Sequence, residues 1–399
     1  MPGQLSLLLV LPQLPLDSSS GAARSLNTIC EMAAAAGYRV RALAATATEL
    51  AHKHDIGDHL RSLGLSVRRS RQPGERPEVL FESRGISYRL LDTGNAPVMG
   101  WQKLYHRQFD LMLDRELEHF RPDLVLTYGG SPEDVRRRRK ARRQGVKVVF
   151  GLRNFGYLTP GGLEEVDAIL AASRYLADRY RAALGVESTA LPLPLEMDDV
   201  LAEDRQPIFV TMINPSPQKG LMVFARIAEE VSLRRPQVAL LVIESRGSAG
   251  LLARAALAGG FDLRRHPNIL VSDAVPLPRD IYAGTRVVLA PSVGDEAAGR
   301  VVAEALVNGV PPIVSDRGGL AEVACGGGFV VPIPPEITAK TAVPVEAGIV
   351  EPWVELILRL TDDDAFYQEA SRRALDAGRA YHREALAPRY LEFFERVAG

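Results

Sequence analysis

Short, almost wholly apolar runs alternate along this chain with longer stretches whose apolar positions recur at helical spacing. A strand buried on both faces reads as a continuous apolar run, so the alternation predicts repeated β-α units around parallel sheets. In the N-terminal half, strands are expected at residues 5–11, 40–45, 65–67, 123–128, 147–151 and 167–172. Helices fall between them: one opened by Ser18-Ser19-Ser20-Gly21 and closed by Gly37, one ending at 60–64, an arginine-rich one at 133–144, and one at 173–184. Residues 70–108 mix Arg, Pro and Gly with scattered aromatics (Phe81, Tyr88, Trp101, Tyr105) and show no clear period. Leu191-Pro-Leu-Pro-Leu and the acidic stretch to Asp204 read as a linker. A second strand series begins at 208–213 and continues at 238–243, 269–271, 287–290, 312–315 and 329–331, each strand trailed by a helix. Residues 352–399 read as helical, with Pro388 marking a kink or break.

The length, 399 residues, exceeds the roughly 250–300 at which one core stops growing, so two domains are expected. Forty-eight Lys plus Arg stand against 49 Asp plus Glu, a balance that excludes a polycation built for nucleic acid. Cys30 and Cys325 show no metal-ligand spacing and suit a reducing compartment. The first apolar run is too short to span a membrane and has no basic region before it, so a cytoplasmic protein is expected.

The most informative stretch is residues 291–322. Glu296 and Glu304 bracket Gly299, which opens an apolar helical run (301–307) that Gly309 and Pro311 end. A buried-strand run, Pro-Ile-Val-Ser, follows, then Gly318-Gly319 and Glu322. A helix N-terminus suits phosphate and carboxylates suit sugar hydroxyls, so the block fits an anionic, hydroxyl-rich ligand. Upstream, Asn214-Pro-Ser-Pro-Gln-Lys219-Gly220 is a strand-to-helix loop with a single ammonium, suited to a pyrophosphate.

The block resembles the donor-sugar motif of retaining GT-B glycosyltransferases of the glycosyltransferase family 4 type. There, Pro-Ser is followed by Glu, seven residues, Glu-Ala, a Gly-Val-Pro strand and a Gly-Gly-x-x-Glu loop. The resemblance implies an α/β GT-B fold, with two Rossmann-like doubly wound domains facing a cleft and a C-terminal helix crossing back to the first. The expected boundaries are 1–195 for the acceptor-side domain, 196–383 for the nucleotide-sugar domain and 384–399 for the returning helix. It also implies transfer of a hexosyl group, with retention, from a nucleotide diphosphate sugar to the hydroxyl of a glycan, lipid-linked or small-molecule acceptor. No cofactor or metal is expected, because lysine, arginine and helix dipoles neutralise the diphosphate. An epimerase or phosphorylase of the same fold, and a non-catalytic sugar-nucleotide binder, are the other readings.

Residue by residue, the resemblance implies that Glu304 binds ribose hydroxyls and that Glu296 sits by the donor hexose. The family's Glu-Gly-Phe-Gly is Glu296-Ala297-Ala298-Gly299 here, which removes an aromatic from the sugar pocket. Lys219 matches the family's Lys-Gly element on the donor phosphates, with Asn214 and Gly220 beside it. An Arg the family places some six residues earlier is missing, and Arg246 or Arg300 is expected to supply that charge. Ala298, Gly299 and Gly21, the remnant of a Gly-Gly pair, complete the expected donor contacts. Tyr128, Gly129, Arg153 and Asn154 are expected on the acceptor side. Glu296, Lys219 and Asn154 are the expected catalytic side chains. The basic run Arg136–Arg143 reads as a solvated face, or as a contact to anionic membrane as in family members that act on lipid-linked acceptors. Asp362-Asp363-Asp364 reads as a helix cap.

Overall fold

A computed structural model describes residues 5–17, 20–49, 55–94, 98, 100–159, 161–245, 247–275 and 277–399, the side chain of residue 102 excepted. The chain divides into two compact units: Met1–Pro194 together with Arg383–Gly399, and Leu195–His382.

The first unit holds a nine-stranded sheet: β1 (Ser6–Leu11), β2 (Arg39–Ala45), β3 (Arg68–Ser70), β4 (Glu78–Ser83), β5 (Ile86–Leu91), β6 (Leu124–Thr127), β7 (Lys147–Leu152), β8 (Ala168–Ala171) and β9 (Thr189–Ala190). Their order is β3-β4-β5-β2-β1-β6-β7-β8-β9. Every residue of β1 is buried, as its unbroken apolar run requires of a strand with parallel neighbours on both sides. Helices α1 (Gly21–Ala35), α2 (Ile56–Ser62), α3 (Trp101–His119), α4 (Pro132–Arg143) and α5 (Arg174–Leu184) connect the strands. Ser20 caps α1 by accepting from the Ala23 amide, so Gly21 is the helix's first residue. Ser18 and Ser19 of the expected small-residue loop lie outside the described residues.

One sequence expectation needs correction, and one unassigned stretch gains its structure. The strand expected at 65–67 lies at β3, three residues later, paired antiparallel with β4 and exposed throughout. An apolar-run criterion therefore selects the wrong residues there. The unassigned stretch 70–108 contains the β4–β5 hairpin and the start of α3. Arg84 (φ 48°) and Gly85 (φ 79°) turn that hairpin in the left-handed region that tight hairpin turns require. Phe81 stacks on Tyr88 across it, with ring centroids 4.4 Å apart.

The second unit is a six-stranded parallel sheet built from β10 (Phe209–Ile213), β11 (Leu240–Ile243), β12 (Ile269–Ser272), β13 (Thr285–Ala290), β14 (Pro312–Ser315) and β15 (Phe329–Val331), in the order β12-β11-β10-β13-β14-β15. Its helices are α6 (Met197–Val200), α7 (Leu221–Arg234), α8 (Ala249–Ala258), α9 (Pro278–Gly284), α10 (Arg300–Val307), α11 (Leu320–Ala324), α12 (Ala347–Asp362) and α13 (Asp364–Gly378). Phe224 of α7 and Trp353 of α12 are fully buried in its core. Asp363 caps α13 through the Phe366 amide at 2.9 Å, so the aspartate run ends one helix and starts the next. Among the described residues no helix is long and apolar enough to cross a membrane.

The chain then returns to the first unit as α14 (Arg383–Ala398). Of the expected kink or break at Pro388, the break does not occur, since Pro388 lies inside this helix. The Tyr390 hydroxyl donates to the Pro192 carbonyl at 2.7 Å, Arg383 donates to the Glu31 carbonyl at 2.7 Å, and Phe394 is fully buried.

Among the parallel strands, order reverses at β1/β6 in the first unit and at β10/β13 in the second. Loops leaving the carboxyl ends of such strands diverge and open a binding crevice. If α14 is integral to the first unit, Phe394→Ala lowers stability by about 3–5 kcal/mol, as for other fully buried phenylalanines. Urea unfolding followed by fluorescence tests this, and a loss below about 1 kcal/mol contradicts it.

Candidate functional site

At the β10/β13 reversal, the loop after β10 (214–220) and the loop after β13 (291–299) are sewn together. The Val293 and Gly294 amides both donate to the Gln218 carbonyl at 3.0 Å. Gly220 (φ 83°) packs against the Pro291 carbonyl so closely that a Cβ has no room. Across this seam the Lys219 ammonium meets Glu296 Oε1 at 2.6 Å. The Ser292 hydroxyl donates to the same oxygen at 2.9 Å, and the Ser315 hydroxyl fixes Ser292 by donating to its carbonyl at 2.6 Å. The Glu296 backbone is held from the β14 side: the Gly319 amide donates to its carbonyl at 2.7 Å, and Gly318 (φ 63°) leaves no space for a side chain against it. This is why the block needs Gly318 after its buried strand.

Glycine 299, at φ 79°, caps α10 without any side-chain hydrogen bond, so the helix begins with uncapped amides. Arg300 opens it and donates through Nε to Glu304 Oε1 at 2.7 Å, four residues along the same face. Its Nη1 and Nη2 are buried with no partner among the described residues. A guanidinium with two buried, unbonded nitrogens beside an uncapped helix start is an arrangement suited to an anion. The Glu304 side chain is 7% exposed, and its second oxygen accepts from the Tyr282 hydroxyl at 3.0 Å. Burial, aided by the Glu304 charge, pushes the Tyr282 phenol well above its usual range. Asn214, itself at φ 61°, accepts from the Gly247 amide at 2.7 Å and so anchors the loop after β11. Ala298, two residues before α10, is buried. Arg246 lies outside the described residues.

The structure thus brings Lys219, Gly220, Glu296, Ala298, Gly299, Arg300 and Glu304 into one locality, with Asn214 at its edge. The cations and carboxylates there form two adjacent ion pairs, Lys219–Glu296 and Arg300–Glu304. Sequence reasoning missed Tyr282 and Ser292. Ser292 follows Pro291 inside the quoted block, and four-residue spacing to Glu296 was its available signal. Tyr282 offered none, since a lone aromatic on a short helix reads as core. Among the described residues no group of three or more His, Cys, Asp or Glu is arranged to hold a metal ion.

In the first unit, the Tyr128 hydroxyl donates to Gln13 Oε1, which joins the loops at the β1/β6 reversal. Arg138 is almost fully buried and donates to three carbonyls, of Gly129 (2.6 Å), Gly162 (2.9 Å) and Glu164 (2.8 Å), which fixes the loop after β6. Arg153 is buried beside Tyr390, and that burial lowers its pKa. Asn154 spends its side-chain oxygen on the Gly156 amide at 2.8 Å. Gly21 is a helix start within this same unit. The cations of α4 are largely taken up by neighbours: Arg136 and Arg137 by Asp110 (2.7 and 2.8 Å), Arg139 by Glu165 (2.8 Å), Lys140 by Asp114 (2.7 Å) and Arg142 by Asp167 (3.1 Å).

Residues 205–363 match the family model described as glycosyl transferases group 1, a span that contains both ion pairs. No curated protein matches the chain. Among solved structures, sucrose-phosphate synthase from Thermosynechococcus elongatus aligns over 99% of both chains at 15% identity and TM-score 0.68. The catalytic domain of starch synthase IV from Arabidopsis thaliana, bound to ADP and acarbose, aligns over 99% of both at 13% identity and TM-score 0.70. The Anabaena protein HepE, in complex with UDP and glucose, covers 98% of this chain and 99% of its own at 14% identity and TM-score 0.65. The fold is that of GT-B glycosyltransferases, two α/β units with parallel sheets and a helix that returns at the C-terminus.

The seam between the loops rests on Gly220. Gly220→Ala puts a Cβ at φ 83° against the Pro291 carbonyl and lowers stability by about 1–3 kcal/mol. Denaturant titration measures it, and unchanged stability contradicts the close approach.

Proposed function

We propose that this protein is a retaining glycosyltransferase that moves a hexosyl group from a nucleoside diphosphate sugar to an acceptor hydroxyl. The observation that carries the reading is the pairing of Lys219 with Glu296 and Arg300 with Glu304 at the uncapped start of α10, within the matched span. In this reading the bound donor draws Lys219 away from Glu296, while Arg300 keeps Glu304 through Nε and turns its idle nitrogens to the diphosphate. The diphosphate takes Lys219, the idle Arg300 nitrogens and the α10 amides. The carboxylates take hydroxyls, Glu304 from the ribose through its open lone-pair directions and Glu296 from the hexose. ADP and UDP in two of the similar structures support a nucleoside diphosphate as the leaving group.

The chemistry follows from charge placement. As the bond from the hexose C1 to the phosphate oxygen breaks, negative charge builds on the diphosphate, where Lys219, Arg300 and the helix start stabilise it. The acceptor oxygen bonds to C1 on the face the diphosphate leaves, and the acceptor proton passes to the departing phosphate oxygen. Donor configuration is thereby retained, and no side-chain base is required. The acceptor is an alcohol, of glycan, lipid-linked or small-molecule type, met by the first unit through the loops bearing Tyr128, Gly129, Arg153 and Asn154.

Incubation with a panel of UDP-, ADP-, GDP- and dTDP-sugars is the direct test. Release of nucleoside diphosphate from one of them, with NMR showing the donor's anomeric configuration in the product, is expected. An inverted product contradicts retention. Lys219→Ala weakens binding of the cognate nucleoside diphosphate by about 1.5–3 kcal/mol in calorimetric titration, the range for a charge-assisted hydrogen bond. The two glutamates separate by role: Glu304→Ala mainly reduces nucleotide affinity, while Glu296→Ala mainly reduces turnover. Equal losses of bare nucleoside diphosphate affinity in both variants contradict that division.

A further inference from the structure

Glu304 is held in a way that leaves a specific set of acceptor positions open. A carboxylate offers four lone-pair directions, two on each oxygen. Arg300 Nε occupies one on Oε1 at 2.7 Å, and the Tyr282 hydroxyl occupies one on Oε2 at 3.0 Å. One direction remains on each oxygen, a spacing that suits two hydroxyls on adjacent carbons. The Tyr282 side chain enters from α9 and is fully buried, and the same hydroxyl lies 3.0 Å from the Val301 carbonyl. Its one proton is shared between these two acceptors, so the hydroxyl bridges the carboxylate and the first turn of α10. The Glu304 backbone is fixed as well, since Asn308 donates to its carbonyl at 2.8 Å. The raised Tyr282 pKa keeps the phenol a proton donor over the whole working pH range.

We propose that Tyr282 is a positioning residue that locks the Glu304 carboxylate to receive two vicinal hydroxyls, and so makes the site select ribonucleoside over 2′-deoxyribonucleoside diphosphates. The proposal rests on the reading of Glu304 as the ribose ligand. A 2′-deoxy ligand leaves one direction of a buried carboxylate without a partner, which is the costly form of a missing hydrogen bond. Without the Tyr282 hydroxyl the carboxylate is held by Arg300 alone. It then turns to satisfy whichever hydroxyl remains, and the penalty for the missing one falls.

The test is calorimetric titration of the full-length protein with UDP, ADP and GDP, each beside its 2′-deoxy counterpart, in the wild type, Tyr282→Phe, Glu304→Gln and the double variant. For the nucleotide that binds, the wild type favours the ribo form by about tenfold or more, the scale of one unmet charged hydrogen bond. Tyr282→Phe reduces that preference to about threefold or less, and adding it to Glu304→Gln changes the preference no further. Glu304→Asp withdraws the carboxylate from Tyr282 while keeping its charge, and it loses the preference as well. A merely structural tyrosine weakens both forms equally and leaves their ratio intact, and that result overturns the proposal, as does a wild type with no preference. If none of the three nucleotides binds, the donor reading of the site fails and takes the proposal with it.

Discussion

The Lys219–Glu296 contact is the interaction on which the rest of the site depends. Strand order reverses at β10/β13, so the loops leaving those strands are neighbours although 77 residues separate Lys219 from Glu296. Backbone bonds from Val293 and Gly294 to Gln218 bring the loops into register, and the ion pair then closes them side chain to side chain. Glycines at 220 and 318 allow the approach from either side, because no other residue fits against the Pro291 carbonyl or the Glu296 backbone. The reversal of strand order supplies the crevice, and these few residues give it a chemical character.

That character is one of opposite charges held close and partly out of water. Each carboxylate has a cation within 2.7 Å, so the two pairs balance each other's charge. Two features fall outside that balance, the idle nitrogens of Arg300 and the uncapped amides of α10. Both ask for negative charge, and both lie beside carboxylates that accept hydroxyl protons. A ligand with a diphosphate between two hydroxylated sugars answers all of these demands at once, whereas an inorganic anion answers only the first.

Much of this was legible in the chain. The residues 291–322 showed a loop carboxylate, a helix start, a second carboxylate and a Gly-Gly turn in the order the structure uses them, because local spacing fixes all four. Lys219 could be grouped with them only through the resemblance, since nothing local ties residue 219 to residue 296. Tyr282 stayed hidden because its role depends on α9 packing under α10, and an aromatic on an apolar helix face carries no sign of where its hydroxyl points. On the first unit, the buried runs of β1, β2, β6, β7 and β8 were readable, but β3 was not, being exposed and set by its antiparallel partner. The pairing of the α4 cations with Asp110, Asp114, Glu165 and Asp167 was equally invisible, since those acids come from other elements. The sequence places Arg153 and Asn154 at the end of a strand, but it does not show that Asn154 accepts from the Gly156 amide of its own turn or that Arg153 is buried beside Tyr390 of α14.

Hydrogen exchange, measured by mass spectrometry with and without saturating nucleoside diphosphate sugars, most directly tests whether these loops hold the donor. Amides of 214–221 and of 292–304 slow together on binding, because one ligand bridges the Lys219 loop and the α10 start. A sugar nucleotide that binds while leaving both segments unprotected, or protects only segments elsewhere in the chain, contradicts the assignment.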